Sequence, residues 1–71
     1  MTSKEVIRSI RRHGGREIRQ RGAHKFFSCA CGAYHTTVAD HRGDMKTGTL
    51  HGIERDLKPC PSFGPGWLLG G

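Results

Sequence analysis

Apolar residues in this chain recur with two different periods, and the switches between them order its elements. Val6, Ile7 and Ile10 fall on one face of a helix over about residues 3–13, while Lys4, Arg8, Arg11 and Arg12 spread over the other. Thr2-Ser3-Lys4-Glu5 has the capping-box pattern, a hydroxyl residue followed three positions later by Glu, which lets two side chains satisfy two orphan N–H groups. Gly14-Gly15 ends the helix, because glycine enters the left-handed conformation that helix ends favour. The period then falls to two. Over residues 16–21, Arg16, Ile18 and Gln20 alternate with Glu17, Arg19 and Arg21. Ile18 is the one apolar residue there, so this strand is expected at a sheet edge, where its charges also discourage edge-to-edge pairing.

Gly22-Ala23 breaks the pattern and a second strand follows from His24 to Cys31. It sorts His24, Phe26, Ser28 and Ala30 to one side and Lys25, Phe27, Cys29 and Cys31 to the other; alternation does not say which phenylalanine faces the core. Gly32-Ala33 turns the chain into a third, β-branched strand over Tyr34–Ala39. Residues 40–47 read as a polar loop. Thr47 is the expected N-cap of a second helix carrying Leu50, Ile53 and Leu57. That helix should end near Leu57 or Lys58, since Pro59 disfavours helix at the residue before it. The predicted fold is α+β, in the order α-β-β-β-α: a three-stranded antiparallel sheet with both helices on one face. Residues 1–58 form the domain and 59–71 a Pro/Gly-rich tail, in which Trp67-Leu68-Leu69 is apolar enough to dock on the body or on a partner.

Seventy-one residues with 34% hydrophobic content allow one thin core. No apolar run approaches the roughly 20 residues needed to span a bilayer. Met1–Glu5 lacks a signal peptide's apolar centre, so the expected location is cytoplasmic and no membrane partner is expected. Charge is placed unevenly. Residues 1–25 carry eight Lys/Arg against two Glu, and the remainder carries four basic against four acidic residues, so the whole formal excess of +6 lies in the first third. Such clustering points to RNA or to an acidic protein partner.

The chemistry suggested by these residues centres on Gly22-Ala23-His24. Imidazole is the side chain best suited to move protons near neutral pH, and here it stands at a hairpin tip within the basic third. Arg16, Arg19, Arg21, Lys25 and Lys46 are the candidate phosphate contacts, and Gly22 and Ala23 position the histidine. A non-catalytic RNA-binding module would use the same basic surface without His24. Cys29-x-Cys31 is the one ligand-like pair, which His35, His41 or Cys60 would have to complete. The spacing is not the usual Cys-x₂-Cys, and no second pair follows. The expectation is therefore no cofactor and no metal, with three reduced cysteines packed as small hydrophobes. His13, His41 and His51 are expected at the surface.

Lys4-Glu5-Val6-Ile7, the Gly22-Ala23-His24 tip and Lys46-Thr47-Gly48-Thr49-Leu50, in that order and spacing, resemble the HicA toxins of bacterial type II toxin–antitoxin systems. The resemblance covers roughly residues 2–57. It implies a fold like that of double-stranded-RNA-binding domains, mRNA interferase (endoribonuclease) activity, a HicB-type antitoxin partner, and a catalytic histidine at His24. The family usually carries Ser or Thr between the Gly and the His, where this chain has Ala23. That implies a weaker enzyme if the hydroxyl positions the imidazole or a phosphate oxygen. The Cys29-Ala30-Cys31-Gly32 segment and the Pro/Gly/Trp tail also depart from the family's common core.

Overall fold

The computed structural model describes residues 1–40 and 42–70. Helix α1 spans Ser3–Arg12. Its capping box forms as the sequence predicts: Glu5 N–H donates to Thr2 Oγ1 at 3.3 Å, and Thr2 N–H donates to Glu5 Oε1 at 2.9 Å. The Thr2 N–H first, and the Thr2 hydroxyl second, donating to the same Oε1 at 3.2 Å, hold the Glu5 carboxyl below its ordinary range. Val6 and Ile10 are fully buried. The helix stops at His13, and Gly14 then adopts φ +91°. Gly15 is glycine for a different reason: a Cβ there would collide with the Ile10 side chain.

Strands β1 (Arg16–Arg21), β2 (His24–Ser28) and β3 (His35–Ala39) form an antiparallel sheet in the order β1-β2-β3. Phe27 and Val38 enter one core with Val6 and Ile10 of α1 and with Leu50, Ile53 and Leu57, so both helices cover the same sheet face. The other face is open. Phe27 is fully buried, whereas Phe26 lies on the open face, half-covered. Burying Phe27 contributes about 1.5–3 kcal/mol, a large share for a chain this short.

Two sequence expectations need correction in the sheet. The simple alternation in β1 fails, because a bulge at Ile18 shifts the register between Glu17 and Arg19. Arg16 pairs with Ser28, Arg19 with Phe26 and Arg21 with His24, so the three arginines share the open face, while Glu17 is half-buried on the other and Gln20, opposite Lys25, stays exposed. The second strand also ends at Ser28 and not at Cys31. Cys29 N–H donates to Tyr34 O (2.9 Å) and Gly32 N–H to Cys29 O (3.0 Å), closing residues 29–34 into a loop with Gly32 at φ +79°.

Helix α2 spans Thr47–Leu57 and presents Leu50, Ile53 and Leu57 to the core, as its spacing predicts. Thr47 is not its N-cap. Lys46 takes that position with extended backbone and no side-chain cap, and Thr47 is the first helical residue. Neither helix is long and apolar enough to cross a membrane. Beyond α2 the chain runs in turns, and the tail docks on the body. Phe63, Trp67 and Leu68 join the core, Trp67 Nε1–H donates to Glu54 O (2.9 Å), and the N–H groups of Leu68 and Leu69 donate to Glu54 Oε1 (3.2 and 2.8 Å). His13 is accordingly not a free surface residue. Its ring stacks on Phe63 (5.4 Å) and meets the edge of Trp67 (5.7 Å), and its Nδ1 lies 2.8 Å from Ser9 O. His51 is exposed as expected, and His41 lies outside the described residues.

Candidate nucleic-acid interface

His24 opens β2 immediately after the Gly22-Ala23 turn. Gly22 has φ +56°, which an L side chain rarely adopts, and this lets the chain reverse within two residues. The tip is tied to the end of β3 by Asp40 N–H donating to Ala23 O at 2.6 Å. His24 therefore stands on hydrogen-bonded backbone, paired with Arg21 on one side and Ala39 on the other, yet remains exposed. No described side chain holds its imidazole by a hydrogen bond.

The strand pairs put a continuous row of chemistry on this open face. Arg21 lies directly across from His24, a relation that places Cβ atoms about 4.5–5.5 Å apart. One pair further along the same face, the Arg19 guanidinium lies over the Phe26 ring, 4.8 Å from its centroid. Arg16 continues the row opposite Ser28. Among the described residues no ion pair engages Arg16, Arg19 or Arg21. Beside them Ile18, Arg19, Phe26, His35 and Thr37 line an open depression of about 450 Å³, which Thr36 and the Asp56 carboxylate of α2, hydrogen-bonded to each other at 2.9 Å, also border. Inward-facing Glu17 pairs with Arg11 of α1 at 3.6 Å, leaving no strand carboxylate on the open face. A polyanion that stacks through its bases fits such a surface: arginines for phosphates, an aromatic face for a base, and an exposed imidazole.

The remaining candidates sit elsewhere. Lys25 points to the helix-covered side, where its Nζ lies 3.4 Å from Asp40 Oδ2. Asp40 also accepts from Ser3 Oγ at 3.1 Å. The Ser3 hydroxyl, followed by Lys25, holds the Asp40 carboxyl below its ordinary range. Lys46 is exposed at the start of α2. His35 shares the open face with His24 but pairs with Ser28, four residues along β2, or about 13 Å away.

The three cysteines, which spacing left unconnected, come together. Cys29 Sγ lies 2.8 Å from Cys31 Sγ, Cys31 Sγ lies 3.1 Å from Cys60 Sγ, and all three sulfurs fall within 4.8 Å. Burial pushes the Cys29 thiol up, but hydrogen bonds from the Cys31 thiol, the Tyr34 N–H and the Cys60 thiol outweigh it and bring it down to about 6. The Cys31 thiol, by its contact with Cys29, is pushed up to about 11. His35 is not part of the cluster. Of the described residues that the sequence offered to complete the Cys29-x-Cys31 pair, Cys60 is the one that the fold brings to it.

The molecule is thus a small α+β domain with a cationic sheet face and a histidine at its hairpin tip. Residues 3–58 match the family described as the HicA toxin of bacterial toxin–antitoxin systems, and the chain belongs to that family. The family consists of toxins that cleave mRNA and are paired with an antitoxin. No curated protein matches the chain. No solved structure matches it either.

Proposed function

We propose that the chain is a metal-independent endoribonuclease toxin in which His24 serves as general acid/base, held in check by a HicB-type antitoxin. The observation that carries this reading is the pairing of exposed His24 with Arg21 on an open face that also holds Arg16, Arg19 and Phe26. RNA supplies its own nucleophile. His24 would take the proton of a 2′-hydroxyl, the oxygen would attack the adjacent phosphorus, and the bond to the 5′ oxygen would break. The products are a 2′,3′-cyclic phosphate and a 5′-hydroxyl, and the leaving oxygen takes its proton from the imidazolium or from water. General base action of this kind contributes typically about 10²–10⁴-fold. Arg21 and Arg19 would stabilise the charge that develops on the phosphorane oxygens.

His35 is too far along the sheet to act as a partner acid in the same step. Nor do the described residues gather carboxylates into a magnesium site. Lys25, engaged with Asp40, would shape the tip more than it contacts phosphate, and Lys46 would extend the basic surface. Ala23, in place of the family's usual hydroxyl, costs orientation and not the base itself.

The test uses three chains: this one, Ala23→Ser, and Ala23→Ser with His24→Ala. The Ala23→Ser chain should arrest bacterial growth and cleave mRNA, and this chain should be slower. The double variant should do neither while keeping its fold, its RNA binding and its antitoxin complex. Cleavage that persists without His24 would remove it as the catalyst. RNA binding without cleavage in all three chains would identify a non-catalytic RNA-binding module.

A further inference from the structure

The thiol cluster lies at the opposite end of the sheet from His24 and takes no part in the chemistry above. Cys29 follows β2, Cys31 lies in the 29–34 loop, and Cys60 comes 29 residues later, after α2. Packing as small hydrophobes accounts for Cys29 and Cys60, which are fully buried. It does not account for Cys31, which is exposed and yet turns its sulfur onto the other two.

The backbone around the sulfurs is organised as well. Tyr34 N–H points at Cys29 Sγ from 3.4 Å, and Gly32 N–H closes the turn on Cys29 O. Amide donors aimed at sulfur orient thiolates in metal sites. Cys60 is held on both sides, its N–H donating to Leu57 O and its carbonyl accepting from Phe63 and Gly64 N–H.

We propose that Cys29, Cys31 and Cys60 form a three-thiolate site for a thiophilic d¹⁰ cation, zinc(II) in the first instance, with the fourth position open to solvent on the Cys31 side. Zinc–sulfur bonds of about 2.3 Å arranged tetrahedrally put sulfurs about 3.8 Å apart. The observed separations, from 2.8 Å to at most 4.8 Å, bracket that spacing. Each thiol that binds gives up its proton, so metal entry releases protons to the medium. The consequence is structural. Cys60 begins the segment that sends Phe63, Trp67 and Leu68 into the core, so the metal ties that segment to the β2–β3 loop. A domain with a core this thin gains most from such a staple.

The experiment takes the full 71-residue chain, reduced, and titrates it with Zn²⁺, and with Cd²⁺ as the spectroscopic probe. Expected are one ion per chain by elemental analysis, proton release, and a cadmium–thiolate absorption in the ultraviolet. The thermal midpoint should rise with free zinc and fall on chelation. Cys31→Ser keeps the fold, because the side chain is exposed, and should weaken binding by at least about tenfold. Three freely alkylated thiols with no metal uptake would overturn the proposal. So would uptake that is unchanged in Cys31→Ser.

Discussion

Phe26 and Phe27 are adjacent and chemically identical, yet they belong to different halves of the molecule. Phe27 is fully buried among Val6, Ile10 and Leu57, on the face that both helices cover. Phe26, one residue earlier, lies half-covered under Arg19 on the face turned away from the core. The covered face carries the stability of the domain, and the open face carries three of its arginines, Arg16, Arg19 and Arg21, with His24. A strand separates the two roles at no cost in length, because successive side chains point to opposite sides. Changes on one face should therefore leave the property of the other face nearly untouched.

The largest test of this separation is a crossed pair of substitutions. His24→Ala, in the Ala23→Ser chain, should lower cleavage by about two to four powers of ten while leaving the thermal midpoint in place. Phe27→Ala should do the reverse, costing about 3–5 kcal/mol of stability and leaving much of so small a domain unfolded. Urea unfolding and cleavage rates on the same preparations read both. A fall in stability for His24→Ala comparable to that for Phe27→Ala would end the separation.

Phe26→Ala sharpens it further. Losing a stacking platform costs about 1–3 kcal/mol in single-stranded RNA affinity, and the stability loss should fall well short of that for Phe27→Ala. Unchanged RNA affinity would leave Phe26 as a support for Arg19 alone. Next in size is the salt dependence. Binding to single-stranded RNA should weaken with a log–log slope of roughly −0.7 per phosphate neutralised. Replacing Arg19 and Arg21 by Ala should make that slope shallower by about 1.4. A slope that does not move would give the basic face to an acidic protein partner.

The smallest effect is on pH. The Asp40 carboxyl is depressed by Ser3 and Lys25, so its folded value lies below its unfolded value of about 3.9. Its contribution is complete above the unfolded value and is lost as pH falls through the folded one. Asp40→Asn should therefore flatten the acid limb of the stability curve slightly. No change below pH 4 would show that the Ser3–Asp40–Lys25 contacts hold the tip without stabilising the fold.

Much of this architecture is written locally. The capping box at Thr2–Glu5, the glycine stop at 14–15, the hairpin tip before His24 and the helical spacing of Leu50, Ile53 and Leu57 each depend on residues a few positions apart, so the sequence alone gives the order α-β-β-β-α and places His24 at the tip. What tertiary structure decided depends on contacts between distant segments. Alternation could not choose between Phe26 and Phe27, because the choice belongs to the helices that cover one face. The bulge at Ile18 leaves no trace in a strand with a single apolar residue, yet it brings Arg16, Arg19 and Arg21 onto the face of His24. His13 reads as a polar residue at a helix end until Phe63 and Trp67 return to pack on it. Cys60 joins Cys29 and Cys31 only because α2 and the turns after it carry the chain back to the far end of the sheet. Local hydrogen bonding and side-chain period determine which elements form. Which surfaces meet is decided by burying apolar area between segments that the sequence keeps far apart.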